Sequence, residues 1–462
     1  MSMSIPSVLQ PGAIGSNPEQ RIDTDILEPV IFTPTFLRYQ LQNKGLLNPD
    51  SRLTFSISGH GGHDSFFPVG LGVGSVIDRA TLKIGGKTIC EVQDWNHYQA
   101  YKSMFIDQSV IKEREQYNSA RLMSNSVVYD QDTVVSNKIG LDIGKEFIDD
   151  TTETDTNMKV HTFQKLNNAG TFSITLADLF PAIRGIQLPL FMISGDVNLE
   201  LTLSEKVGQR ASLAFAGDNA NHSFTLDQTE CRMIADYTFL DGDEMEGFRR
   251  ENRDFSFMFL EPRLTKTTLA TVADAQNVIR NVGGAGRLVS KMFVGLTSGK
   301  MSVHFSGSGT GNAKSLLNDY RAIAPAMPAA RTYGQLVANV KKNDEFLYPL
   351  DRTNSALHFH GVADTEGGVP HITRAEYARQ GDSMVNKKFE GYSMSGQNEL
   401  TGQFFYNAYR MNDGTRVDSR GIELHHKYQD LAATEAPYTS RCWIEVQKVM
   451  RITDGVVDCY YA

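Results

Sequence analysis

The sequence has 462 residues, a formal net charge of −9, 40% hydrophobic residues and 21% charged residues. This length suits two domains of about 200 to 230 residues each, and the charged content is typical of a globular chain. An acidic surface repels phosphate, which argues against direct binding of nucleic acid.

We predict a flexible arm over residues 1–27, where prolines at positions 6 and 11 stand among serines and glycines. No apolar stretch follows a basic start, so no signal peptide is expected, and no run of 18 apolar residues predicts a membrane span. No C-x-x-C pair occurs, and buried free thiols are expected at the four cysteines, Cys90, Cys231, Cys442 and Cys459.

Alternation of apolar and polar residues with a period of two is the strongest local pattern in the chain. In chain order it occurs at 53–57, 172–176, 197–203, 255–259 and 301–305, and an extended run surrounds Ile444 and Val446. One apolar and one polar face are typical of antiparallel strands. Because Gly, Asn and Asp turns separate these runs, the sequence predicts an all-β chain of antiparallel sandwiches.

Helical patterns are few and short. We predict helices at 94–105, with Asp94 as the N-cap, at 241–250 and at 373–379. In the second of these, acidic residues come first and arginines last, as the helix dipole favours. No alternation of strands and helices appears, so a parallel doubly wound sheet is not expected.

The strand-rich halves of the chain meet near its middle. Two long polar stretches in the first half, 106–156 and 205–229, are predicted to be surface loops. The predicted order is an arm at 1–27, a first domain at 28–240, a linker at 241–253 and a second domain at 254–462.

The best candidate for a metal site is the pair His358 and His360, with Glu366 downstream. Alternate residues of a strand share one face, so both imidazoles could reach one ion, as in the first motif of cupins. The spacing to Glu366 is one residue too long for that motif, and the surrounding sequence is typical of a turn. We therefore expect polar surface histidines here, and no metal or other cofactor.

Other motifs are also near misses. The run 306–315 resembles a phosphate-binding loop, but Ser308 and Ala313 stand where glycines are required. His60 and His63, like the adjacent pair 425–426, are expected to be surface residues. Neither a nucleophile elbow nor an H-E-x-x-H motif occurs, and helix capping accounts for Asp241 and Asp243. No catalytic residue is predicted, and we do not expect an enzyme.

The segment 233–250 resembles the joint between the two jelly rolls of major capsid proteins of nucleocytoplasmic large DNA viruses. It contains Met-Ile-Ala-Asp-Tyr-Thr-Phe-Leu-Asp, then Glu244 and Phe-Arg-Arg. The segments 188–203, 75–86 and 421–461 are similar to other parts of this family, including its virophage and polinton-like members. The resemblance implies two consecutive eight-stranded antiparallel jelly rolls, a double jelly roll, with a few short helices.

The resemblance also implies a function. Such a chain is expected to be a major capsid protein that forms homotrimers, whose pseudo-hexagonal outline tiles the icosahedral shell of a double-stranded DNA virus. Its partners would then be neighbouring capsomers, penton and minor capsid proteins, with an internal membrane left open, and its location the virion. The alternatives are a cupin-like or carbohydrate-active enzyme and a lectin-like, carbohydrate-binding β-sandwich protein.

Overall fold

A computed structural model of the chain describes most of both strand-rich halves. The described residues are 21–59, 72–103, 110, 126–130, 139–141, 159–161, 170–203, 224–298, 334–347, 361, 363–365, 406–411, 414–429 and 437–462. Within these ranges, no helix is both long and apolar enough to cross a membrane.

The first half is built from strands and two short helices. Its strands are β1 (Arg21–Leu27), β2 (Ile31–Thr33), β3 (Phe36–Leu41), β4 (Leu46–Leu47), β5 (Arg52–Gly59), β6 (Ile77–Ile84), β7 (Lys87–Gln93), β8 (Ser126–Asp130), β9 (Ile139–Leu141), β10 (Lys159–His161), β11 (Gly170–Thr175), β12 (Leu188–Pro189), β13 (Val197–Leu203), β14 (Phe224–Leu226) and β15 (Met233–Phe239). Its helices are α1 (Trp95–Ser103) and α2 (Leu176–Leu179), with 3-10 turns at Gly72–Val76 and Leu190–Met192.

The second half begins with a helix and continues as strands. The helices are α3 (Gly242–Glu251) and α4 (Val272–Gln276). The strands are β16 (Asp254–Leu269), β17 (Asn277–Gly283), β18 (Val289–Ser298), β19 (Gly334–Lys342), β20 (Glu345–Phe346), β21 (Tyr406–Arg410), β22 (Ile422–Gln429), β23 (Tyr438–Thr453) and β24 (Val456–Tyr461).

Both halves have the same strand order. In the first, one sheet runs β1-β15-β5-β11, with the short β4, β12 and β14 extending it, and the other runs β2-β3-β13-β6-β7. In the second, the sheets run β16-β23-β18-β21 and β17-β22-β19-β20. The eight main strands are β1, β3, β5, β6, β7, β11, β13 and β15 in the first half and β16 to β23 in the second, where β24 only adds a pairing to β23. Numbered in chain order within each half, they pair as 1-8-3-6 and 2-7-4-5 in both. All pairings among the described strands are antiparallel, and this is the arrangement of a jelly roll.

The alternation in the sequence sets which side chains enter the cores. In β13, Leu199 and Leu201 are fully buried, while Glu200 and Thr202 are half-buried on the opposite face. A separate apolar cluster fills the second sandwich, with Met292 and Leu424 among its buried members. The first core extends beyond the first sandwich, because Phe257 from β16 belongs to the same apolar cluster.

Most sequence-predicted elements are found, with some corrections. Residues 21–27, expected in the arm, form β1, which pairs along its length with β15. The predicted loop at 106–156 includes β8 and β9, which form a three-stranded sheet with β10, and β14 lies within the predicted loop at 205–229. The strand predicted at 301–305 and the helix predicted at 373–379 lie outside the described residues.

The strands before the two long polar stretches end at the same end of the first sandwich. The strands that precede them, β7 and β13, both pair antiparallel with β6 and therefore run in the same direction. At the opposite end of the sandwich, strands are joined by short connections, such as the Gly85-Gly86 turn between β6 and β7. The elaborated end and the short-turn end are therefore opposite each other.

Candidate functional site

The seam between the two sandwiches is the most elaborate polar arrangement among the described residues. It begins at β7, which lies at the edge of its sheet. An edge strand exposes backbone N–H and C=O groups that need partners. The second sandwich supplies these partners: Lys448 Nζ donates to Ile89 O at 2.6 Å, and Trp443 Nε1 donates to Gln93 O at 3.0 Å.

A buried ion pair stands behind this edge. Lys448 Nζ lies 3.0 Å from Glu261 Oε1, and both side chains are almost fully buried. The same carboxylate accepts from the Glu91 backbone N at 3.3 Å and from the Tyr461 hydroxyl at 3.0 Å. A buried charge is tolerated when it is paired and hydrogen-bonded in this way. The pair thus caps the strand edge of the first sandwich.

Helix α1 brings a second ion pair to the seam. Lys102 Nζ lies 2.9 Å from Glu445 Oε1 of β23, with 8% and 2% of the two side chains exposed. The Tyr98 hydroxyl donates to the same oxygen. Burial acts to raise the pKa of Glu445, but Lys102 and the Tyr98 hydroxyl outweigh it and hold that pKa below its usual range. Glu445 is therefore ionised at neutral pH.

A third group of charges lies where α1 begins. Asp94 stands directly before α1, at the predicted N-cap position, and its carboxylate binds Arg441 Nε at 2.7 Å and Lys266 Nζ at 3.0 Å. Its backbone has a positive φ of 47°, and its carbonyl accepts from Tyr98 N. Burial acts to raise the pKa of Asp94, but the two cations lower it.

Aromatic rings fill the space between these charges. The rings of Tyr101 and Trp443 meet edge to face with centroids 5.4 Å apart, and Tyr98 meets Phe293 at 5.9 Å. A Cβ at Gly295 would overlap the Tyr101 ring, so glycine is required there for the close approach of α1 to β18. The seam therefore combines ion pairs with close packing.

The short-turn end of the seam is held by backbone contacts. Both the backbone N and the hydroxyl of Ser194 donate to Gly455 O, at 3.0 and 2.9 Å. Helix α3, in the predicted linker, has no side-chain cap from Asp241, contrary to expectation, although its acidic start and basic end are as predicted. Its Arg249 donates to Phe191 O and thereby ties the linker to the first sandwich.

Most of the sequence-predicted candidate residues lie outside the part of the chain that the structure describes. His358, His360 and Glu366 lie outside the described residues, as do His60, His63 and the run 306–315. In the part of the chain that is described, no three His, Cys, Asp or Glu side chains are placed to hold a metal ion.

Residues 425 and 426 point to opposite faces of β22, as expected, but the expectation of surface histidines is wrong for one of them. His426 is fully buried between the hydroxyls of Tyr409, at 2.7 Å, and Tyr428, at 3.1 Å. All four cysteines are free, and all but the half-buried Cys459 are buried.

The sequence reasoning missed the charges of the seam. A signal was present in β23, where Glu445 and Lys448 interrupt a mostly apolar run that includes Trp443 and Met450. Charges inside such a run indicate buried ion pairs. Their partners come from residues that are more than a hundred positions away in sequence, which no local pattern identifies.

Comparison with known structures shows the same fold in viral capsid chains. A chain in a quasi-atomic model of the PBCV-1 virus capsid is 12% identical, with a TM-score of 0.56 over 96% of this chain and 97% of that one. A chain in the cryo-EM structure of the Sputnik virophage is 10% identical, with a TM-score of 0.56 over 96% of this chain and 88% of that one. No protein-family model and no curated protein matches the sequence. The predicted double jelly-roll fold is confirmed.

Proposed function

We propose that this protein is the major capsid subunit of an icosahedral double-stranded DNA virus and acts in the virion as a structural component, not as an enzyme. The observation that carries the proposal is the seam: two jelly rolls of identical strand order are locked together by three groups of buried or half-buried charges. A rigid double unit is what a shell requires, because each copy must present the same surfaces to its neighbours.

The likeness to capsid chains of PBCV-1 and the Sputnik virophage supports this function, since it extends over nearly the whole of this chain. In the proposal, residues 28–240 and 254–462 are the two jelly rolls, 241–253 is their linker, and β1 belongs to the first. Each chain contributes two similar sandwiches, so three chains make a pseudo-hexagonal capsomer. Neighbouring capsomers and penton and minor capsid proteins are its partners.

The oligomeric state of the purified full chain tests the proposal. Light scattering coupled to size-exclusion chromatography should give a mass near three times the 51.3 kDa of one chain. Electron micrographs of concentrated protein, or of particles from infected cells labelled with an antibody to the chain, should show pseudo-hexagonal capsomers or shells. A chain that stays monomeric at every concentration and is absent from particles would contradict the proposed function.

A further inference from the structure

The first strand of the first sandwich carries apolar side chains that the described residues leave exposed. Strand β1 lies at the edge of its sheet, and Ile22 and Ile26 are 54% and 63% exposed. The alternate residue Asp25 turns towards Lys44, at 2.6 Å. Exposed apolar residues on an edge strand favour association, and proteins normally cover or charge such edges. We call Ile22, Ile26 and the intervening Thr24 the β1 surface.

The corresponding strand of the second sandwich is covered within the chain. Strand β16 has the same place in its sheet as β1, beside the last main strand. Strand β7 packs along it, and Glu91 of β7 donates its backbone N–H to Glu261. Phe257 of β16 is only 2% exposed as a result of burial in the shared core. Inside the molecule, then, β7, the fifth main strand of the first sandwich, covers β16, the first main strand of the second.

The internal contact between β7 and β16 leaves two edge strands exposed, β1 in the first sandwich and β20 in the second. The counterpart of β7 in the second sandwich is β20, which lies at the edge of its sheet. Its Phe346 is 52% exposed and is held in place by His425, with ring centroids 5.2 Å apart. Lys341 lies beside this ring, with its Nζ 5.9 Å from the centroid. We call Phe346 and Lys341 the β20 surface.

We infer that the β1 surface of one copy binds the β20 surface of a second copy, so that the internal seam is repeated between chains. The chemistry of the two surfaces is complementary. Asp236 lies between the two isoleucines, where it accepts from the Thr24 hydroxyl at 2.6 Å, and it would face the Lys341 ammonium group. The contact joins unlike surfaces, so its repetition builds a head-to-tail assembly, which is a ring when the rotation between copies closes, and not a two-fold pair. This inference deepens the proposed function by naming the surfaces that join its copies.

The experiment uses two full-length variants that each lose one surface. Ile22→Glu with Ile26→Glu removes the β1 surface, and Phe346→Glu removes the β20 surface. Val456→Glu is the matched control, because Val456 is similarly exposed at 55% and belongs to neither surface. Circular dichroism and thermal midpoints establish that each variant is folded, and Ile22→Ser with Ile26→Ser replaces the first variant if glutamate disturbs β1.

Sedimentation over a concentration series should give the wild-type mass for the control and the monomer mass for each interface variant alone. An equimolar mixture of the two interface variants should give dimers, since one partner keeps an intact β1 surface and the other an intact β20 surface. A mixture that stays monomeric, or interface variants that assemble like wild type, would overturn the inference and leave the proposed function standing. A monomeric wild type would overturn both.

Discussion

The two buried lysine–glutamate pairs of the seam join the sandwiches in different ways. Lys102 and Glu445 belong to different sandwiches, whereas Lys448 and Glu261 both belong to the second. Glu445 therefore gains Lys102 only when the sandwiches dock, whereas Lys291, opposite it on β18, already acts on its charge from within the second sandwich. The other pair is complete within one sandwich and reaches its neighbour through backbone groups of β7. In the first pair, docking brings Lys102 to the buried charge of Glu445. In the second, docking lets Lys448 donate to a backbone carbonyl of the edge strand β7.

Replacing Lys102 with Met should lower the free energy of unfolding more than any other change to the two pairs. The Glu445 carboxylate would stay buried without the Lys102 ammonium group, and removing one partner of a buried ion pair costs about 3 to 5 kcal/mol. Trp443 is one of only two tryptophans and lies in the seam, so its fluorescence reports on docking during urea unfolding. The free energy of unfolding should fall by that amount.

Two controls separate this effect from lost packing. Lys102→Met combined with Glu445→Gln removes both charges but keeps an acceptor for Tyr98, and it should recover most of the loss. Lys83→Met breaks the half-exposed Lys83–Glu200 pair, at 2.8 Å, and should cost less than about 1 kcal/mol. Equal losses for Lys102→Met and Lys83→Met would show that burial of the seam pair is unimportant.

Replacing Lys448 with Met should have a smaller effect. Glu261 would keep its bonds from Tyr461 and Glu91, and the Arg263 guanidinium lies 3.8 Å away. The main loss is the donor to the Ile89 carbonyl, and leaving such a group unsatisfied costs about 1 to 3 kcal/mol. The same urea titration measures it. A loss larger than that of Lys102→Met would mean that capping the edge matters more than compensating Glu445.

A third test is the pH dependence of the stability loss caused by Lys102→Met, which is expected to be the smallest of the three effects. In the wild type the pKa of folded Glu445 is lowered, so its contribution is present above the unfolded pKa of about 4.3 and is lost as pH falls through the folded pKa. Without Lys102, burial should raise that pKa, and protonation would relieve the variant in acid. The stability gap should therefore narrow as pH falls from 7 to about 4, and a constant gap would contradict this account.

Much of the fold could be predicted because its information is local. The alternation around Leu199 and Phe257 identified β13 and β16, and the charges of 241–250 identified α3. Strand β1 was missed because its exposed isoleucines alternate with aspartates in a segment that resembles an arm. Its assignment depends on backbone pairing with β15, more than two hundred residues away.

By itself, the sequence determined that the chain is an all-β protein with two strand-rich halves and a short helix between them, since strand periodicity, turn residues and helix charges act over a few positions. The tertiary structure alone decided that Asp94 and Glu445 lie in one seam, that His426 is buried, and that the edge of β7 is capped while Ile22 and Ile26 of β1 are exposed. These features depend on which distant groups meet after folding. Burial then fixes which charges and strand edges must be satisfied, and these are the contacts that hold the two sandwiches together.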